Sequence, residues 1–166
     1  MDAGRTGQIE ALERAIGDPR RGLPEDLFLF VSRLIPMVNV DLLIQDDRGR
    51  TLLTWRDDRH FGSGWHVPGS VIRYKERAAD RVRACAREEL GAAVSFEEAP
   101  IFVMETILAG RERGHAVSLL YRCRLMGAPD AARAAATGSP TAGQWRWHDG
   151  APSDLLDVQQ QYARFF

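Results

Sequence analysis

The stretch Trp65-His66-Val67-Pro68-Gly69-Ser70, followed by Glu76 and a run that ends Arg87-Glu88-Glu89-Leu90-Gly91, decides how this chain is read. Ala78, Ala79, Val82, Ala86 and Leu90 recur at helical spacing, which predicts a helix over 76–90 with an apolar face of small residues. Gly91 is placed as its C-terminal cap. Two acids in the last turn are unusual, because the helix dipole disfavours negative charge there. Solvent exposure is one reason for such a pair. A hard cation is another: Mg²⁺ takes carboxylate and carbonyl oxygens, few of them from protein, and completes its shell with substrate phosphates. The Gly69 turn could add a backbone carbonyl.

On the N-terminal side the period changes to two. Residues 37–44 read as a strand, Asp46-Asp47-Arg48-Gly49 as a turn, 50–55 as the return strand, 57–64 as a loop and 65–70 as a short strand into the glycine turn. Asp41 is an acid inside an apolar strand and needs a partner. Further on, 101–108 and 115–125 are strands around the hairpin 110–114. The Gly-, Ala- and Pro-rich segment 127–143 reads as a mobile loop, with room for a helical turn at 131–136. Residues 144–147 form a last strand, and 153–163 a closing helix capped by Ser153. Two helices precede all of this. One covers 6–16, capped by Thr6 with Ile9, Leu12 and Ile16 on one face. The other covers 24–35, opened by Pro24 and ended by Pro36, with Leu27, Phe28, Val31, Leu34 and Ile35 on one face. Such faces suit docking or a second copy, so a homodimer is expected. The order of elements gives an α+β fold, a mixed β-sheet with helices on its faces. Residues 1–24 are an N-terminal helix and linker, and 25–166 the main domain.

The 166 residues suit one main domain, and 45% apolar content supports a core. Lys plus Arg is 22 against 23 for Asp plus Glu, a net charge of −1, so no basic field exists to hold nucleic acid. No apolar run approaches the roughly 18–20 residues of a bilayer span. Met1-Asp2-Ala3-Gly4-Arg5 lacks the apolar stretch of a secretory signal and the glycine that myristoylation requires. Cys85 and Cys123 stand outside any CxxC, which excludes a zinc or disulfide framework. The expectation is a soluble, cytoplasmic protein without nucleic-acid or membrane partners.

Residues 70–91 resemble the Nudix box: Gly, five residues, Glu, seven residues, Arg-Glu, an apolar residue, any residue, Glu-Glu, any residue, Gly. Registered on Gly91, the pattern keeps Glu76, Glu88 and Glu89 but has Ser70 for the first Gly and Ala84-Cys85 for Arg-Glu. The chain resembles more closely the GDP-mannose mannosyl hydrolase branch of that superfamily. This rests on Pro36-Met37-Val38-Asn39-Val40-Asp41, Gly49 with Leu52-Leu53, Arg56 and Arg59, Trp65-x-Val67-Pro68-Gly69, Glu89-Leu90-Gly91, and a return at Arg146-Trp147. The resemblance implies the Nudix fold, a mixed β-sheet sandwiched between helices. It also implies a Mg²⁺-dependent hydrolase, with Mn²⁺ able to substitute, acting on a nucleoside diphosphate sugar of the GDP-mannose kind. In that branch water attacks the anomeric carbon with inversion, and the nucleoside diphosphate leaves. Carried over, the Gly69 carbonyl, Glu89 and Glu88 hold the metal. Arg56 and Asp41 are the catalytic candidates, Arg56 holding the diphosphate and Asp41 supporting the sugar side; Phe28 lies near the base, and Arg59 is a further substrate-binding candidate.

The departures are specific. The branch has a Gln metal ligand and a His general base just before the Arg-Trp strand, and those places hold Thr141 and Ala142. Its second arginine falls at Val71. The enzyme then uses another base, with Glu105, Glu112 and His115 the candidates, works on another bond, or is slow. His60, His66 and His148 read as structural or solvated, and Cys85 as a small hydrophobe. Two other readings stand beside the first. One is attack at phosphorus of another nucleoside diphosphate derivative. The other is a non-catalytic Nudix-fold module that binds a nucleotide or a protein.

Overall fold

The computed structural model describes residues 3–136 and 138–166. Met1 and Asp2, and Thr137 of the expected mobile loop, lie outside the described residues. Strand β1 (Met37–Ile44) is buried on both faces from Val40 onward. On one edge it pairs in parallel with β7 (His115–Leu125), from Met37↔Ala116 to Ile44↔Cys123. On the other it pairs antiparallel with β4 (Gly69–Val71). The far edge of β7 carries β6 (Phe102–Ile107) and then β5 (Val94–Phe96), which completes a five-stranded mixed sheet.

The expected return strand does not return to β1, because both edges of β1 are taken. β2 (Thr51–Asp58) keeps only the bridge Gln45↔Thr51 and builds a second, antiparallel sheet between β3 (Gly62–His66) and β8 (Trp145–His148). Most of the segment expected as a loop at 57–64 is therefore strand. Its turn is closed by Asp58, whose carboxylate accepts the N–H groups of His60 and Phe61, each at 2.8 Å.

Helix α3 (Ala78–Leu90) lies across the mixed sheet, packing Val82, Cys85, Ala86 and Leu90 against Val40, Leu42, Ile44, Tyr121 and Cys123. The other face of the sheet turns Leu43, Met104 and Leu120 toward Leu53, Trp65, Val67 and Tyr162. Burial of each such side chain contributes about 1.5–3 kcal/mol. Gly91 ends α3 in the left-handed region at φ 65°, as its sequence position suggests.

Residues 127–136 are not loose. Asp130 N–H donates to the Leu90 carbonyl (2.8 Å), Trp145 Nε1–H donates to the Asp130 carbonyl (2.8 Å), and Ala131–Arg133 form a 3₁₀ turn. The closing helix is a 3₁₀ run, Asp157–Phe165, with Leu156 rather than Ser153 at its N-cap. It starts late because Trp65 N–H donates to Asp154 and Leu156 N–H donates to Trp65, which holds that stretch against β3. Helix α1 (Ala3–Ile16) puts no residue into either core cluster, and its Ile9 and Leu12 stay exposed. Helix α2 (Glu25–Ser32) stops before Leu34 and Ile35, consistent with the bias of a residue before proline against helical backbone.

Gly69 sits opposite Asp41 in the β4–β1 ladder, and a Cβ at 69 would collide with Asp41 Oδ1. Gly69→Ala is expected to lower stability in urea by about 1–3 kcal/mol, the usual scale of overpacking. In an Asp41→Ala background most of that loss should vanish. Equal losses in both backgrounds would contradict this account of the contact.

Candidate active site

The last turn of α3 delivers Glu89 to the junction of the two sheets. Gly69 N–H, on β4, donates to its Oε1 at 3.1 Å. Thr54 Oγ1, on β2, lies 3.1 Å from its Oε2 and 3.2 Å from His66 Nε2. His66 Nδ1 is 2.7 Å from the Val67 carbonyl, which can only accept, so Nδ1 carries the proton and Nε2 is an acceptor. Thr54 thus has one proton and two acceptors. Thr54 Oγ1–H donates to Glu89 Oε2, and His66 Nε2 stands within hydrogen-bond distance of the same hydroxyl. Burial raises Glu89 to about 7 against the hydrogen bonds from Gly69 and Thr54, and burial with nearby Arg56 lowers His66 to about 3.

Glu88 is half exposed and ion-paired. Arg81 Nη2 lies 2.7 Å from its Oε1, and Arg73 Nη2 lies 3.6 Å away. Arg81 is fully buried and also lies 3.9 Å from Glu76. Arg133 donates to the backbone carbonyls of Glu88 (2.6 Å) and Glu89 (2.9 Å), placing a cation at the negative helix end. Asp41 accepts from the Tyr162 hydroxyl at 2.6 Å, and burial raises it to about 6.

Two cavities meet here. A chamber of about 90 Å³ is lined by Asn39, Asp41, Arg56, His66, Gly69 and Ser118, among others. An open cleft of about 620 Å³ runs between Thr54 and Arg56 on one side and Glu88, Glu89 and the 141–144 loop on the other. Arg56 and His66 line both.

Comparison with known proteins fits this architecture. No family model matches the chain. The low-salt glycan biosynthesis protein Agl8 of Haloferax volcanii is 33% identical over 79 residues, covering 48% of this chain and 50% of that protein. The match thus spans about half the length of that relative. A MutT NUDIX hydrolase from Burkholderia pseudomallei superposes with a TM-score of 0.62 over 78% of this chain and 97% of that one, at 24% identity. The MutT protein of Methanosarcina mazei Go1 gives 0.61 over 78% and 93%, at 16% identity. The chain has the Nudix fold.

On the Nudix frame, the structure brings Asp41, Arg56, Gly69, Glu88 and Glu89 together. Phe28 is one side chain removed. Arg113 lies over its ring (5.1 Å) and over Phe61 (5.1 Å), and Arg56 also lies over Phe61 (5.2 Å). Arg59 stands apart from both cavities, exposed and bonded to Glu25 at 2.9 Å. The three base candidates line neither cavity. Met104, Thr106, Ala116 and Ser118 face the chamber, so strand alternation turns Glu105 and His115 to the other face, where they pair at 3.2 Å. Glu112 is on the hairpin, paired with Arg33 at 3.3 Å. Thr141 and Ala142 do line the cleft opposite the glutamates, and Asp57 lines it too, holding the Ser63 hydroxyl at 2.6 Å.

Among the described residues no three His, Cys, Asp or Glu side chains form a group that could hold a metal ion. Glu88 and Glu89 beside an arginine-lined cleft suit a hard cation that takes one or two carboxylates and completes its shell with substrate oxygens; they do not suit a structural zinc. Cys85 Sγ is 3.8 Å from Glu89, and burial keeps it a thiol.

Sequence reading missed Arg81, although it lies two helical turns before Glu88 and so on the same face. It missed Arg133, Arg113 and Tyr162, for which no local spacing exists. Arg81 Nε and Nη1 make no hydrogen bond, while Glu88 and Glu76 reach solvent. Its desolvation is therefore poorly offset, and because Glu88 and Glu76 can turn to water when Arg81 is removed, an apolar replacement should cost little. Arg81→Met is expected to keep the urea midpoint near that of wild type. A large drop would show that the ion pairs stabilise the fold.

Proposed function

We propose that this chain is a divalent-metal-dependent Nudix-type hydrolase of a nucleoside diphosphate sugar, with water attacking the anomeric carbon. The observation that carries the reading is Glu89, a carboxyl held between Gly69 and Thr54 at the edge of a cleft shared with Arg56. Mg²⁺ or Mn²⁺, when bound by Glu89 with Glu88 and the Gly69 carbonyl, supplies positive charge to the diphosphate oxygens. Arg56 grips the same diphosphate, a charge-assisted contact that strengthens as the leaving group gains charge. The bond between the anomeric carbon and the bridging oxygen breaks, water adds its hydroxyl to that carbon, and its proton passes to solvent or to a cleft acceptor. Asp41, fixed by Tyr162, faces the chamber and orients the sugar side. Sparse carboxylates favour this course over attack at phosphorus, because charge builds mainly on the departing diphosphate. The relative whose name places it in glycan biosynthesis is in keeping with a sugar nucleotide substrate.

The reading extends to assembly and placement. Residues 1–24 are an appended helix and linker to the 25–166 domain. The exposed apolar residues of α1 and α2 serve a homodimer, and the protein works in the cytoplasm on a small molecule. No helix among the described residues is long and apolar enough to cross a membrane.

A hydrolysis screen over nucleoside diphosphate sugars in ¹⁸O-water, with Mg²⁺ or Mn²⁺, tests the reading. Label is expected in the released sugar, and Glu89→Gln should lower turnover at least about 100-fold while keeping the fold. Label in phosphate would establish attack at phosphorus instead. Tight binding without turnover at any metal concentration would establish a binding module.

A further inference from the structure

We propose that Arg113, from the hairpin between β6 and β7, is a second diphosphate-gripping arginine that acts together with Arg56. The inference rests on the nucleoside diphosphate reading above. Arg113 is half-buried and makes no hydrogen bond or ion pair among the described residues. What holds it is aromatic: its guanidinium lies 5.1 Å from the Phe28 ring and 5.1 Å from the Phe61 ring. Such contacts orient a cation without neutralising it, and the carboxylate that acts on Arg113, Asp58, is already ion-paired with Arg56 at 3.4 Å. Phe61 also carries Arg56 at 5.2 Å, so one ring organises two guanidinium groups.

Both arginines line the chamber beside Asp41 and Gly69. Burial, and then the charge of Arg56, push the Arg113 pKa below the usual arginine range, with Asp58 opposing. Two cations converging on one cavity, one of them with no carboxylate partner, form an anion site. Arg113 also lines a groove that holds Leu23, Phe28, Met37, Ile72 and Tyr74, about 380 Å³ in volume. The chamber and groove share Gly69, Ser70, Val71 and Arg113. A ligand with a flat apolar end and a diphosphate would thus meet Arg113 where the two parts join.

The test is calorimetric binding of inorganic pyrophosphate with Mg²⁺, and separately of a nucleoside without phosphate, to wild type, Arg113→Gln, Arg113→Lys and Arg56→Gln. Arg113→Gln is expected to weaken pyrophosphate binding by about 10–100-fold, as for loss of a charge-assisted contact. Nucleoside binding should change less than about threefold, and Arg113→Lys should recover part of the loss. Unchanged pyrophosphate affinity in Arg113→Gln, with a loss in Arg56→Gln, would overturn the proposal and leave the diphosphate reading standing. Equal losses for pyrophosphate and nucleoside would overturn it by showing that Arg113 only supports the wall. A wild type that does not bind pyrophosphate would overturn the diphosphate reading itself.

Discussion

A carboxyl group buried at the meeting of a helix and two sheets governs this molecule. Glu89 takes an N–H from β4 and shares a hydroxyl with β2, so the end of α3 is fixed to both sheets at once. The cost of placing acids at a helix C-terminus is met locally. Arg133 caps the Glu88 and Glu89 carbonyls, and Arg81 and Arg73 engage the Glu88 side chain. Among the described residues the Glu89 side chain makes no ion pair, and Arg56 acts on it from farther off. Burial raises the Glu89 pKa to about 7, so near neutrality it is divided between the acid and the carboxylate.

The sheet topology serves the same end. With both edges of β1 occupied, β2 builds a second sheet, and its Thr54 and Arg56 line the cleft together with Glu88 and Glu89 of α3. The Asn39, Asp41 and Leu43 face of β1 looks into that gap. Its one acid is covered by Tyr162 from the far end of the chain, while Gln159 accepts Val67 N–H at 2.8 Å and lines the chamber. The 3₁₀ run near the C-terminus is thus a wall of the site. Substitutions there would be felt at Asp41, 121 residues away.

Much of this was legible in the sequence, and the limits follow from range. Period and capping placed β1, α3 with Gly91, and the β6–β7 hairpin, because those signals are local. The split into two sheets was not legible, since the competition for the edges of β1 involves β4, about 30 residues on, and β7, more than 70 residues on. The segment after residue 126 looked mobile from its composition, yet the Asp130, Arg133 and Trp145 hydrogen bonds that fix it depend on the finished end of α3. Within the site, motif spacing found the glutamates, Gly69, Asp41 and Arg56. It placed the base candidates by chemistry alone, and strand alternation turned Glu105 and His115 away. Arg59 stood near Arg56 in sequence but was drawn to Glu25 on α2.

As the proposed metal ligand, Glu89 must give up its proton to a cation wherever the acid form prevails. Calorimetric titration of Mn²⁺ at pH 6 and at pH 8, each in two buffers of different ionisation heat, tests it directly. With Glu89 near 7, the neutral acid dominates at pH 6 and the carboxylate at pH 8. Affinity should therefore rise about tenfold from the lower pH to the higher, with close to one proton released per metal at pH 6 and close to none at pH 8. A pH-independent affinity without proton release would contradict the claim.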